Sequence, residues 1–456
     1  MNGISRMRYS LFAVVLAASL AVLAPILHAQ PLVLTLDDAI ALSVKNNPRL
    51  EMARLDMRKA DYKVLEAVGN ALPNISATGQ YTRAIKKPVF FVPRSMFQPG
   101  AEGYTTLAFG LDNTYQVGLT ATQVLFNAIV FTGVGASKIY QKASREVYRG
   151  EFNKTVADVK RAFYGVLLMQ NIHDLTLNSL RNAEDNLRTV QKMREQGLVS
   201  EYDFIRAQVQ VDNIRPSVVE TERNVTLALN NLKMLLGVPP TQDIHIAGGL
   251  EFVPADSLLL ARAEEMVLSE NANLRALKLQ KQVNEEFITL YRAESYPTLT
   301  AFGNYRWESQ KNDFKLTASD FISQSQVGVT LNLSLFNGLQ STARKHQAEM
   351  DYRKSEEQIA LTRDGLLTQL QNIRLRLEEA LRRIASQTKT VEQAEKGYEI
   401  ARVRYAAGTG TQLEVNDADL ALVRSRVNRI QAVYDYTLAR IDLEELLSVV
   451  PPDTFE

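Results

Sequence analysis

The chain has no cysteine, four histidines and one tryptophan among its 456 residues. Lack of cysteine removes any disulfide framework, any thiolate metal ligand and any lipidated N-terminal cysteine. His28, His173, His245 and His346 are scattered, so spacing suggests no histidine metal cluster. There is no Walker loop, no HExxH pair and no nucleophile elbow. Gly408-Thr409-Gly410-Thr411 has neither a strand before it nor a lysine after it, which argues against a phosphate cradle. No residue set supports an enzyme, a cofactor or a metal. An excess of charge is lacking too: 52 basic against 51 acidic residues leave +1, without the basic field that nucleic acid binding calls for.

Long apolar runs are also missing, with one exception near the N-terminus. Arg6 and Arg8 precede the apolar run from Leu11 to Leu23, and Ala29 follows. That order of charged region, apolar core and small-residue cleavage site predicts a signal peptide over 1–29. The run falls short of the ~20 residues that a membrane-spanning helix needs, so a retained anchor is the weaker reading.

What the chain does contain, it contains twice. Gly197-Leu198-Val199-Ser200 and Gly408-Thr409-Gly410-Thr411 are glycine breaks 211 positions apart, with Asp203 matching Glu414 and Ala207 matching Ala418. Asn47 and Leu50 match Asn271 and Leu274 at an offset of 224. The organisation predicted is a first repeat over 30–237, a Pro- and Gly-rich linker over 238–255, a second repeat over 256–448 and a tail over 449–456. Each repeat opens with short helices and moves to segments of period two, about 74–83 and 115–126 in the first and 298–307 and 325–336 in the second. In the last of these, Val327, Val329, Leu331, Leu333 and Leu335 share one face, and Gln326, Gly328, Thr330, Asn332 and Ser334 the other. Lipid outside and water inside gives that alternation, and Tyr81, Tyr115, Tyr305 and Trp307 near the strand ends suit a membrane interface. A half-buried sheet in a soluble domain gives it equally well. Two loops, 84–114 and 308–324, lie between the paired strands and are expected to face outward.

Proline is absent from 133–196 and from 339–407, and at 1.5 Å per residue each stretch would make a helix on the order of 95 Å long. Leu370, Leu377, Ile384, Val391, Tyr398 and Tyr405 recur every seven residues, as do Val159, Val166, His173, Leu180 and Leu187. His173 is therefore expected in a helix seam, not on a metal. Return helices are expected over 200–236 and 412–448, the first kinked at Pro216, the second with a seam at Leu413, Leu420, Val427, Tyr434 and Ile441.

Four strands cannot close a barrel, and an open edge in lipid leaves backbone groups unsatisfied. Two, three or four copies would each give an allowed strand number. Order and spacing over the mature chain, the Leu-Phe-Asn strand ends and the two glycine tips resemble the TolC-type outer membrane efflux proteins. That resemblance implies a mainly α fold with a small β portion: duplicated long-helix hairpins forming an α-helical barrel, and four transmembrane strands per chain contributing to a 12-stranded β-barrel of a homotrimer. It further implies an outer membrane exit duct reaching into the periplasm of a Gram-negative bacterium, for efflux or type I secretion, with a periplasmic adaptor and an inner membrane transporter as partners.

By the same resemblance, Glu414 and Asp417 match carboxylates lining a closed periplasmic entrance, and Tyr405 and Asp203 match a pair that ties neighbouring helices when shut. Gly410 departs from the pattern, standing where some members carry an arginine. The tips Gly197, Leu198, Val199, Ser200, Gly408, Thr409, Gly410 and Thr411 are expected to dock the adaptor. The competing reading is a secreted periplasmic coiled-coil scaffold or adaptor, which would lack the duplicated hairpins joined to lipid-facing strands.

Overall fold

The structure, a computed structural model, describes residues 32–454. The signal peptide expected over 1–29 lies outside the described residues.

Strand β1 (Leu32–Leu34) is followed by helices α1 (Leu36–Asn46) and α2 (Pro48–Gly69). Thr35 starts α1 through a capping box with Asp38, and Pro48 takes the first helical position, where its missing N–H costs nothing. Then come β2 (Asn74–Arg83), β3 (Val89–Pro93), β4 (Tyr104–Ala108), β5 (Asn113–Phe126), the long helix α3 (Ala128–Glu195) and the return helix α4 (Glu201–Leu236). The second half repeats the order after β6 (Ile244–Ile246): α5 (Ser257–Glu270), α6 (Ala272–Ala293), β7 (Thr298–Lys311), β8 (Ile322–Asn332), α7 (Gln340–Ala406) and α8 (Gln412–Leu447). No helix among the described residues is long and apolar enough to cross a membrane.

One boundary needs correction, and two features add to what was expected. The last strand ends at Asn332, so Leu333 to Phe336 lie beyond it. Pro216 lies inside α4 without ending the helical run from Glu201 to Leu236. Within the loop 84–114, β3 and β4 pair as an antiparallel hairpin.

Contacts divide the chain into two compact units that do not follow the two halves, since each draws segments from both. The strand-bearing unit comprises Met52–Gly150 and Leu268–Leu366. Its sheet is antiparallel in the order β2-β5-β7-β8, so the inner pair joins strands from different halves. Register runs Ile75↔Ala121, Ala121↔Gly303 and Gly303↔Val327, which puts the odd-numbered residues of all four strands on one face. That face holds Ile75, Val117, Leu119, Leu299, Val329 and Leu331. It has no cover in the single chain, with Val327 90% and Leu331 68% exposed. The other face carries Ser76, Gln80, Thr120, Asn304, Arg306, Glu308 and Gln326, and there Gln116 Nε2 donates to Glu308 Oε2 at 3.2 Å. The Tyr81 and Tyr115 rings lie tilted at 4.9 Å and Tyr305 meets Trp307 edge to face at 4.4 Å, giving the apolar face an aromatic end. The outer edges of β2 and β8 have no partner strand among the described residues.

The second unit holds the described residues up to Glu51, Glu151–Val267 and the chain from Leu367. Its buried residues follow the long-helix seams: Leu370, Ile373, Leu377 and Ala380 on α7, Val159, Phe163 and Val166 on α3. His173 belongs to this packing, with Nδ1 3.0 Å from the Thr221 hydroxyl. Ion pairs join α3 to α8: Lys160 with Glu444 at 2.6 Å, and Arg161 with Glu445 and with Asp442 at 2.8 Å. Burial works against the charge of Arg161, but the bonds to Glu445 and Asp442 outweigh it and hold the guanidinium protonated. Return helices α4 and α8 both end on a left-handed residue, Gly237 and Ser448, whose N–H bonds back to the last turn.

Candidate functional site: the paired hairpin tips

Both tips lie in the second unit and are built to one plan. Gly197 and Gly408 take left-handed conformations, φ 71° and 72°, which only glycine adopts without steric cost, and each ends its long helix. Ser200 and Thr411 then cap the return helices, their hydroxyls accepting from Asp203 N and Glu414 N. Between the tips sits a small apolar core of Val190 and Ala207 from the first hairpin with Ala401, Tyr405 and Val415 from the second. Val199 packs against it, whereas Leu198 points away, 66% exposed.

The two acids at matching positions are used differently. Asp203 closes the capping box, accepting from Ser200 N at 3.2 Å and from Ser200 Oγ at 2.6 Å. Glu414 does not return to its cap, and its carboxylate faces Arg404 at 3.7 Å. Tyr405 is buried and its Oη has no hydrogen-bond partner, so it is not bonded to Asp203 in the single chain. Burial, then the nearby charge of Asp203, raises the Tyr405 pKa.

Asp419 fixes the orientation of α8. Its carboxylate accepts from Ser179 Oγ at 2.9 Å and Asn182 Nδ2 at 3.3 Å, both on α3. Burial pushes its pKa up, against the opposing pull of those two bonds and of Arg426. At 100° per residue, Asp417 is about 200° away from Asp419 around the helix. Glu414 and Asp417 therefore share the side turned from α3, where both are exposed. Arg404 and Asp419 were not among the residues expected at the entrance. Asp419 had a sequence signal, an acid five positions after Glu414 on the opposite face.

One expectation holds only in part. Of the seam predicted for α8, Leu413 and Leu420 near the tip are exposed, 44% and 66%, whereas Val427 and Tyr434 are half-buried and Ile441 is buried; near the tip the buried stripe runs instead through Val415, Leu422 and Ser425. Heptad spacing identifies a stripe but not its cover: these leucines form a second apolar face that nothing within one chain covers. Among the described residues no group of His, Asp and Glu could hold a metal ion.

The family model described as "Outer membrane efflux protein" matches residues 39–238 and 264–449, once for each half. The toluene efflux pump outer membrane protein TtgC of Pseudomonas putida is 25% identical over 412 residues, covering 84% of this chain and 76% of that protein. TolC of Vibrio cholerae is 20% identical over 73% of this chain and 76% of its own length. The alkaline protease secretion protein AprF of Pseudomonas aeruginosa is 22% identical over 72% of this chain and 68% of its own. Among solved structures, CusC superposes with a TM-score of 0.72 at 17% identity, covering 90% of this chain and 91% of that one. VceC of Vibrio cholerae gives 0.72 at 16% identity, covering 91% and 96%. These likenesses bear out the mainly α fold with a β portion and an outer membrane location. Matched in both halves and across its fold, the chain belongs to the outer membrane efflux protein family.

Proposed function

We propose that the chain is the exit duct of a tripartite efflux or type I secretion system, a passive channel and not an enzyme. The observation that carries this reading is the open four-stranded sheet, polar on one face and apolar on the other, with both edges unpaired. In lipid such a sheet is stable only when edges from other copies close it into a barrel. Three copies give twelve strands, an even number within the range of outer membrane barrels, and leave polar residues such as Gln80, Asn304 and Gln326 lining water.

On this reading the helical hairpins continue the duct into the periplasm. The exposed carboxylates Glu414 and Asp417 line its entrance, and Tyr405 and Asp203 lie where neighbouring helices meet. The turns Gly197-Leu198-Val199-Ser200 and Gly408-Thr409-Gly410-Thr411 receive a periplasmic adaptor, which couples the duct to an inner membrane transporter. Exposure of Leu198 beside a rigid glycine turn favours docking there. The repeat division, 30–237 and 256–448, reads as an ancestral half-length unit copied once.

The test is fractionation with a resistance assay. The duct reading expects a heat-resistant oligomer extracted from the outer membrane only by detergent, and sensitivity to exported compounds when the gene is deleted. Leu198→Asp should keep the oligomer and lose export. A salt-soluble periplasmic protein would contradict the duct and favour the scaffold.

A further inference from the structure

We infer that Arg404 is a positioning residue that sets the charge of the entrance, holding Glu414 so that each chain presents one free carboxylate, Asp417, in place of two. This rests on the reading of Glu414 and Asp417 as entrance residues.

The second turn is folded onto residue 404. The Arg404 carbonyl oxygen accepts from Thr409 N at 2.9 Å, from Gly410 N at 3.0 Å and from Thr409 Oγ1 at 3.2 Å. Its side chain then crosses the turn: Nη2 donates to the Thr409 carbonyl at 3.2 Å and Nη1 lies 3.7 Å from Glu414 Oε2. Gly410 gives this crossing its room. A Cβ there would lie 3.1 Å from Arg404 Cβ, from Glu414 Oε2 and from Tyr405 N. Gly410 does not have a positive φ, so crowding by these neighbours, and not backbone conformation, is what calls for glycine.

The first tip supplies the contrast. Its arginine, Arg194, lies over the Phe204 ring at 4.0 Å and pairs with Glu201 at 3.1 Å, while Asp203 stays in its cap. Only at the second tip does an arginine face the acid at the third helical position. Asp417 makes no ion pair or hydrogen bond among the described residues, so its charge is uncompensated within the chain. An exposed pair such as Arg404 with Glu414 adds little stability, but a ring of copies repeats it at a narrow mouth, where net fixed charge governs which ions enter.

The experiment is planar-bilayer recording of the purified, detergent-extracted oligomer under a potassium chloride gradient, with cation over anion permeability read from the reversal potential. Arg404→Gln is expected to raise that ratio about twofold, Arg404→Lys to leave it near wild type, and Arg404→Gln with Glu414→Gln to return it to wild type. If Arg404→Gln does not assemble, Arg404→His answers the same question in one protein, its ratio rising between pH 5 and 8 as the imidazole loses its charge. An unchanged ratio in Arg404→Gln, or a flat pH response in Arg404→His, with Asp417→Asn still lowering selectivity, would overturn the role of Arg404 alone. No change in Asp417→Asn and Glu414→Gln would remove the entrance reading, and this inference with it.

Discussion

The two hairpin tips differ less in fold than in what each does with its acid. Both have a left-handed glycine, a hydroxyl cap and a carboxylate at the third helical position. In the first, Asp203 is bonded to Ser200 and holds the turn together. In the second, the Glu414 carboxylate faces an arginine across the turn and does not return to the cap. The two turns share one plan, and a few side chains make the first acid a strut within its turn and leave the second, on the proposed reading, on a charged rim. The same division appears behind them, where Asp419 ties α8 to α3 while Asp417, two residues away, stays open to solvent.

The largest effect expected from breaking the equivalence is at the far ends of the return helices. A Cβ on Gly237 would lie 2.4 Å from the Asn46 carbonyl oxygen, at a φ of 67°. Gly237→Ala should therefore cost about 3 kcal/mol, left-handed strain plus a backbone shift, and sharply lower the yield of assembled protein. Its counterpart Ser448 has φ 50° and already bears a side chain. Ser448→Gly should instead stabilise by about 0.5–1 kcal/mol, seen as a higher unfolding temperature of the extracted oligomer. A loss from Ser448→Gly as large as that from Gly237→Ala would contradict left-handed strain at Ser448.

Next in size are the tip acids. Asp203→Ala removes a capping-box partner and should cost about 1 kcal/mol, whereas Glu414→Ala should cost under about 0.5 kcal/mol and show in ion selectivity. Thermal unfolding of the two variants side by side checks this, and equal destabilisation would erase the distinction between strut and rim.

The smallest effect is a pH dependence. Burial raises the Asp419 pKa above its unfolded value, so the folded state holds this proton more tightly than the unfolded chain does. Its contribution to stability is full below the unfolded pKa, near 3.9, and is lost as pH rises through the folded pKa. The groups that act on it are Ser179 and Asn182 on α3 and Arg426 on α8 itself, and its charge in turn acts on Tyr398 of α7. Asp419→Asn should flatten the stability profile in that window, while Gln208, 211 positions earlier, has no titrating group to remove. An unchanged profile would contradict the burial of the Asp419 carboxylate as the dominant influence on it.

Much of the fold was legible because it rests on periodicity. Glycine breaks fixed the tips to within a residue, since only glycine takes the left-handed turn cheaply, and alternation gave the four strands of the sheet and their apolar face, though not what covers it. The α8 seam was misread at its tip end only, because Leu413 and Leu420 are as apolar as a core stripe but are exposed in one chain. Site chemistry was less legible. Which acid is capped and which is free depends on side-chain direction, and the link between Arg404 and Glu414 depends on a turn closing over position 404. Both are contacts across a bend, which no spacing rule reports.

The central claim, that the second tip lines the entrance and the first supports it, can be tested at one residue pair. The native chain has no cysteine, so a single introduced thiol is the only reactive one. Asp417→Cys and its counterpart Arg206→Cys, 211 positions earlier, are recorded in bilayers before and after a charged methanethiosulfonate. The account predicts that a cationic reagent cuts cation current through the Asp417→Cys oligomer and leaves Arg206→Cys unchanged. Equal block of both, or block of Arg206→Cys alone, would contradict it.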